Sequence, residues 1–208
     1  MTSSLPNIEH KLTNTKVFKS TSVHTNTTPL PREIKRGPAI KLLHTHDFLL
    51  KTPPHFHNYH ELPVPLGQRP PDPHLTSSIQ HAAVAPTQYY EVKYIEPTLL
   101  SCFTRGDKKV CCKVAVTDTG SGIFVRSTRQ RGGVFRKGFG AGMTVVVEQI
   151  WEVRYAEEKE WDGLELVERV RVEGLECLTG GVRKKYEAGW RDVHESIVKR
   201  LMVLDLGM

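Results

Sequence analysis

Two histidine clusters are the first features of this 208-residue chain that could do chemistry. They read His44-x-His46-Asp47 and His55-x-His57-x-x-His60-Glu61. Zinc accepts imidazole nitrogens and carboxylates as ligands, and on a strand His55 and His57 would share a face. A regular strand would turn His60 to the opposite face, so we predict neither a metal site nor a cofactor from this spacing.

An Asp118-Thr119-Gly120 triplet imitates the signature of aspartic proteases. Those enzymes need two such aspartates, so a single triplet could act only in a homodimer, and we interpret the segment as a polar β-turn. We find no nucleophile elbow, no credible Ser/His/Asp arrangement and no dinucleotide fingerprint in the chain. The motifs therefore identify no catalytic residues, and a binding protein is favoured over an enzyme.

A basic, glycine-rich segment covers residues 129–142 with the sequence RQRGGVFRKGFGAG. Glycines let a ligand approach the backbone, cations attract phosphate and aromatic rings can stack, so the segment is a candidate contact for an anionic headgroup or a nucleic acid. Its cations are Arg129, Arg131, Arg136 and Lys137. The net charge of +6 fits either partner. A flexible, solvated hairpin loop is the favoured explanation of the segment, and we do not expect nucleic acid as the partner.

The elements that must position these residues follow from the hydrophobic pattern. Residues Lys16 to Thr27 and Phe56 to Leu62 predict strands, with two short helices between Arg32 and Leu50 interrupted at Gly37-Pro38. Pro63 to Gln88 is proline-rich and predicts an irregular insertion, although it could also present a polyproline II ligand. We expect one domain over residues 16–208, preceded by a flexible terminus at residues 1–15.

From Tyr89 to Glu176 the chain alternates as antiparallel strands do, including a hairpin that joins Val110–Val116 to Ile123–Thr128. A long amphipathic helix then runs to the end of the chain. Its apolar stripe consists of Val182, Tyr186, Gly189, Trp190, Val193, Ile197 and Leu201. This order predicts an α+β fold in which a curved antiparallel sheet wraps around its last helix.

Two polar side chains interrupt apolar rows of these strands. Gln149 lies in the row from Met143 to Tyr155, and Glu168 lies in the row from Leu164 to Val172. A carboxylate on an inward row is costly unless it is paired, hydrated or protonated. Glu168 therefore marks either a polar spot in a cavity or a bulge that turns the side chain outward.

Three stretches of the chain resemble a known superfamily. They are TTPLP at residues 27–31 with LLHTHDFLLKTPP at 42–54, YYEVKYIEP at 89–97, and VRKKYEAGWRDVHESIVKRL at 182–201. Together with the element order, they resemble START-like (SRPBCC) proteins of the helix-grip fold, and more narrowly an uncharacterised START-like family found mainly in fungi. The superfamily includes lipid-transfer domains, plant hydrophobic-ligand carriers and polyketide cyclases. The resemblance implies a hydrophobic cavity under the C-terminal helix, and it carries over no activity.

We therefore expect binding or transport of a hydrophobic small molecule or lipid between the sheet and the last helix. The alternative on the same fold is an enzyme of cyclase or dehydratase type, in which Glu168 exchanges protons with a ligand oriented by Tyr90, Tyr94 or Gln149. Gly189, on the buried stripe, marks either close approach of the sheet or room for a ligand. The candidate lining is Tyr90, Tyr94, Cys112, Met143, Gln149, Trp151, Glu168, Tyr186, Gly189 and Val193.

Cysteine use and hydropathy indicate the compartment. The four cysteines form no CxxC pair, and the N-terminus lacks the apolar core of a secretory signal. No stretch approaches the ~20 apolar residues that span a bilayer. We expect a cytoplasmic protein that is not transmembrane, with an anionic membrane surface as a possible partner.

Overall fold

A computed structural model of the chain describes residues 19–64, 76–96, 108–130, 144–156 and 163–205. These residues form seven strands and four helices. Their order is β1 (Lys19–Pro29), α1 (Arg36–Leu43), α2 (His46–Lys51), β2 (Phe56–Leu62), α3 (Ser77–Ala82), β3 (Gln88–Glu96), β4 (Lys108–Thr119), β5 (Gly122–Gln130), β6 (Thr144–Tyr155), β7 (Leu164–Leu175) and α4 (Glu176–Asp205).

All seven strands form one antiparallel sheet in the order β1-β7-β6-β5-β4-β3-β2. The first two strands in sequence thus lie at opposite edges, and α1 and α2 connect them. Helix α4 packs on β7, β1 and α1, while α1 packs on β5 and β6. We call the helix-covered face of the sheet the inner face. The architecture is the predicted α+β helix-grip fold.

Alternation along β4 shows why the sheet has two unlike faces. Val110, Cys112, Val114 and Val116 are buried on the inner face, as predicted, because every second residue of a strand points the same way. Cys111 is exposed on the opposite face. Residues 120–121 form the turn that joins β4 to β5. Gly122 follows it, and a Cβ there would lie 1.9 Å from the carbonyl oxygen of Trp151, so only glycine fits.

The core divides into two groups along α4. The larger group joins Ile197 and Leu201 of α4 to α1, α2 and the inner residues of β3, β4 and β5. The smaller one packs Val182 and Tyr186 against four valines of β6 and β7. Between the two groups lies the middle of α4, opposite the polar positions of β6 and β7. The helix itself begins at Glu176, six residues before the predicted stripe.

Two local expectations are wrong. The break between the short helices falls at residues 44–45, whereas Gly37 and Pro38 lie inside the first turn of α1. Proline is tolerated there because the first backbone N–H groups of a helix have no intrahelical partner. The proline-rich stretch is not irregular throughout, since Ser77–Ala82 forms α3 and residues 83 and 119 pair as an isolated bridge. Residues 65–75 lie outside the described ranges.

Among the helices within the described ranges, none combines the length and the hydropathy needed to cross a membrane.

Candidate functional site on the inner face

Glu168 lies at the centre of a buried polar cluster on the inner face. The residue is 2% exposed, and β7 pairs with both neighbouring strands without a register shift. Glu168 therefore points inward, and no bulge turns it outward. Asn26 of β1, directly opposite in the register, donates its amide to Oε2 at 3.0 Å. Gln149 of β6 donates to Oε1 at 2.9 Å. The two polar intrusions predicted from the sequence thus bind each other.

His194 of α4 completes this polar cluster, and the sequence analysis missed it. The residue is 1% exposed, its Nδ1 lies 2.7 Å from Thr28 Oγ1, and its Nε2 lies 3.5 Å from Glu168 Oε2. The second distance suits an ion pair, but Nε2 has no hydrogen-bond partner among the described residues. A signal was present, because His194 is four residues after Trp190 and three before Ile197 on the buried stripe.

Two tryptophans enclose the imidazole of His194. The ring centroids of Trp151 and Trp190 each lie 5.1 Å from that of His194. Trp151 is 5% exposed, so this side of the cluster is apolar. The polar cluster therefore combines a carboxylate, an imidazole and two amides inside an aromatic and aliphatic surround.

A second set of predicted residues meets further along the inner face. Burial raises the pKa of Tyr186 above its ordinary value, and the neighbouring Tyr94 and Glu168 add to the shift. Burial likewise raises the pKa of Tyr94, with Cys112 beside it. Three of the predicted lining residues, Tyr94, Cys112 and Glu168, thus lie near the phenol of a fourth, Tyr186. Both phenols stay protonated at neutral pH. Met143 lies outside the described residues.

Gly189 faces open space. A Cβ built on this residue meets no atom within 4 Å outside its own helix, and the position is only partly buried. Close approach of the sheet therefore does not explain the glycine. Its neighbours on the stripe, Tyr186 and Val193, are also partly buried. A side chain at position 189 would therefore meet no neighbouring atom near its Cβ.

Tyr90 lies away from Glu168, at the end of the sheet covered by α2. Its hydroxyl donates to Gln88 and contacts His46 Nδ1 at 2.9 Å. Burial raises the pKa of Tyr90 from its ordinary value to about 12, and the nearby Glu61 adds to the shift. Tyr90 therefore belongs to the packing of α2 and not to the polar cluster.

The first histidine cluster and the Asp118 triplet prove to be one structural contact. His46 Nε2 lies 2.9 Å from Asp118 Oδ1, and His44 Nε2 lies 3.2 and 2.8 Å from the carbonyl oxygens of Thr119 and Gly122. Since both groups near His44 are acceptors, its Nε2 carries the hydrogen. These contacts hold the corner between α1 and α2 on the β4–β5 turn.

The second histidine cluster is not arranged as a strand pair. His55 precedes β2 in the left-handed backbone region, with φ of 67°, so it does not alternate regularly with His57. Over the described ranges, no three His, Cys, Asp or Glu side chains are grouped as metal ligands would be.

Of the basic residues proposed to contact an anionic group, only Arg129 lies in the described part of the chain. It belongs to β5 and not to a loop, opposite Cys112 and Val145, and therefore lies on the inner face. Arg131, Arg136 and Lys137 lie outside the described residues.

A separate surface pocket of about 550 Å³ lies where α1 begins, beside the end of the β6–β7 hairpin. It is lined by Pro31, Arg32, Ile34, Lys35, Arg36, Tyr155, Gly163 and Leu164. None of the predicted site residues lines it, and the sequence analysis gave no sign of it.

The chain is thus a helix-grip protein with a buried polar cluster beneath its last helix. Residues 19–203 match a family described as "Domain of unknown function (DUF7053)", and the chain belongs to that family. No curated protein matches it significantly.

Similar solved structures cover most of the chain at low identity. TTHA0849 from Thermus thermophilus is 11% identical with a TM-score of 0.45, and the match covers 89% of this chain and 99% of that one. Ara h 8.0201 is 10% identical with a TM-score of 0.46 and the same coverage. The di-domain ARO/CYC StfQ from the steffimycin biosynthetic pathway is 11% identical with a TM-score of 0.42, over 87% of this chain and 49% of that protein.

Proposed function

We propose that this protein binds or carries a hydrophobic small molecule or lipid in the space between the inner face and α4. The open space at Gly189 carries the proposal. An interior glycine destabilises a helix by about 1 kcal/mol relative to alanine, and no neighbouring atom requires it here. Room for a ligand explains why the residue stands on the buried stripe.

The surroundings of Gly189 support an apolar ligand with a polar group. The core is divided at this level of α4, with valines of β6 and β7 on one side and Ile197 and Leu201 on the other. Tyr94, Tyr186 and Val193 offer apolar surface, and the polar cluster offers hydrogen-bonding atoms. Mostly apolar walls with a few convergent polar groups are typical of small-molecule sites.

The test fills the proposed space with a side chain. Nile red, a neutral fluorophore, is titrated into the wild type, Gly189→Trp and the control Gly181→Trp, whose glycine is exposed on the same helix and also meets no atom within 4 Å. We expect Gly189→Trp to weaken binding about tenfold or more, a loss of roughly 1.4 kcal/mol, and the control to bind as the wild type does.

Thermal unfolding verifies that both variants fold. Equal binding by Gly189→Trp and the wild type, or no binding by a folded wild type, would show that the proposal is wrong. Native mass spectrometry followed by denaturing extraction then identifies any molecule that copurifies with the protein.

The proximity of Glu168 and His194 favours a second candidate, an enzyme of cyclase type. A carboxylate and an imidazole 3.5 Å apart could exchange protons with a ligand held against Gln149 or Tyr94. Tyr90 takes no part in this candidate, because its hydroxyl is bound to Gln88 and His46. The two functions differ in what Glu168 does: a carrier uses it to hold a ligand, and an enzyme uses it to move a proton.

A further inference from the structure

The inner face of β1 differs from the inner faces of β4, β6 and β7. Its inward residues are all polar and partly buried, whereas the inward rows of those three strands are mainly apolar. They are Ser20, Ser22, His24, Asn26 and Thr28. This strand lies at the edge of the sheet next to α4, so it gives the proposed space one polar wall.

Three buried polar atoms on or beside this wall have no hydrogen-bond partner among the described residues. Ser22 Oγ and His24 Nε2 belong to β1, and His194 Nε2 belongs to α4, whose imidazole contacts Thr28 of β1. His24 Nε2 is 3.9 Å from Glu187 Oε1, too far for a hydrogen bond. Buried polar groups are paired in the great majority of native proteins. Two exceptions on β1 and a third on the facing side of α4 indicate a place where atoms from outside the chain complete the pairing.

The chemistry at the polar cluster restricts what those atoms can be. Thr28 occupies Nδ1 of His194, and amides of Asn26 and Gln149 occupy one site on each oxygen of Glu168. When Nε2 of His194 carries a hydrogen, its partner must accept a hydrogen bond. That partner must also carry no negative charge, because it lies beside Oε2 of Glu168. When Nε2 is unprotonated, the partner must donate. A hydroxyl group satisfies both cases, because it both donates and accepts.

We propose that the ligand of this protein is a neutral, hydroxyl-bearing hydrophobic molecule whose hydroxyl group pairs with His194 and Glu168. The proposal rests on the function proposed above. A carboxylate ligand is disfavoured, since it would place a second negative charge against Glu168 in a buried, weakly screened position. An ether of the same shape accepts but cannot donate, so it leaves the acceptors of Glu168 without a new partner.

Three ligands with the same alkyl chain test the proposal. Dodecanol, dodecyl methyl ether and dodecanoate compete with Nile red for the wild-type protein, at a pH where dodecanoate is ionised. We expect dodecanol to bind at least about tenfold more tightly than either of the others, because sites with buried polar groups reject analogues that leave them unpaired. The same competition in His194→Phe, which keeps a ring between Trp151 and Trp190, should reduce the preference for the alcohol over the ether without abolishing it, because Glu168 can still accept from the hydroxyl group.

The outcomes separate this proposal from the one on which it rests. If Nile red binds, Gly189→Trp prevents its binding, and the three ligands compete equally, the polar wall is satisfied by water and the hydroxyl proposal is wrong while the carrier function stands. A preference for dodecanoate would overturn it in the same way. If Nile red and all three ligands fail to bind the folded protein, the function and the hydroxyl proposal fall together. The wild-type comparison decides the matter even if His194→Phe does not fold.

Discussion

Glu168 shows how a single buried charge is accommodated in this fold. Its two oxygens accept hydrogen bonds from Asn26 and Gln149, and His194 lies 3.5 Å away. The sequence pattern identified the residue as anomalous but left its direction open, because a bulge in β7 would have reversed it. Because β7 pairs with β1 and β6 without interruption, the side chain of Glu168 points inward.

Replacing Glu168 with glutamine should therefore reduce stability. The new amide group turns a donor toward Asn26 or Gln149, so one buried hydrogen bond is lost, and the free energy of unfolding should fall by about 1–2 kcal/mol. Glu173→Gln is the matched control on the same strand, since that side chain is 46% exposed and its partner Arg171 is also exposed; its effect should stay below about 0.5 kcal/mol. Urea unfolding measures both.

The same variant distinguishes the two candidate functions. A carrier with Glu168→Gln should keep the molecule that copurifies with the wild type, because glutamine still offers an acceptor oxygen and a donor amide. An enzyme should lose conversion of that molecule while still binding it. Equal stability of the Glu168→Gln and Glu173→Gln variants would contradict the buried hydrogen bonds themselves.

At the scale of elements, the corner between α1 and α2 depends on a contact far away in sequence. His44 and His46 reach across to the β4–β5 turn, where they meet two backbone carbonyl oxygens and the Asp118 carboxylate. Both helices are short, at eight and six residues, and helices of this length depend on tertiary contacts for stability. The histidines thus stabilise the layer that covers one end of the inner face.

Removing either histidine should weaken that attachment. We expect His44→Ala and His46→Ala each to lower the free energy of unfolding by about 1–3 kcal/mol, since buried acceptors or a carboxylate lose their partner. His60→Ala is the control: its side chain is 52% exposed and lies 3.8 Å from Glu91, so its loss should cost less than about 0.5 kcal/mol. Urea midpoints that fall equally in all three variants would contradict a specific role for the corner.

At the scale of the whole molecule, buried tyrosines link stability to high pH. Burial raises the pKa of Tyr90 from 10.0 to about 12, and it raises the pKa of Tyr94 and Tyr186 as well. Unfolding would return each phenol to its ordinary pKa near 10. The folded state therefore holds protons that the unfolded state releases once the pH exceeds about 10.

Stability should accordingly be unaffected by these groups below about pH 10 and should fall as the pH rises from about 10 toward 12. The check is the urea midpoint as a function of pH, together with the absorbance of phenolate in the folded protein. Tyr90→Phe and Tyr186→Phe should each make the decline shallower. If the urea midpoint declined with pH equally steeply in both variants and the wild type, groups other than these tyrosines would be responsible for the decline.

The sequence alone determined the helix-grip architecture and much of the inner face. Periods of two and 3.6 are local properties, so the rows of β4, β6 and β7 and the stripe of α4 could be assigned without coordinates. Local patterns also marked Gln149 and Glu168, since a polar residue in an apolar row is visible in one strand. They placed the helix break wrongly at Gly37-Pro38, because proline breaks a helix in its interior and not in its first turn.

Only the tertiary structure decided which of the marked residues meet. Asn26 and Glu168 are 142 positions apart, and Thr28 and His194 are 166 apart, so no spacing could pair them. The same holds for His46 and Asp118, which looked like two unrelated motifs and are one contact. The role of Gly189 could not be predicted for a related reason. A glycine can allow close packing or can leave space, and the difference depends on atoms of distant strands that only the fold brings near it.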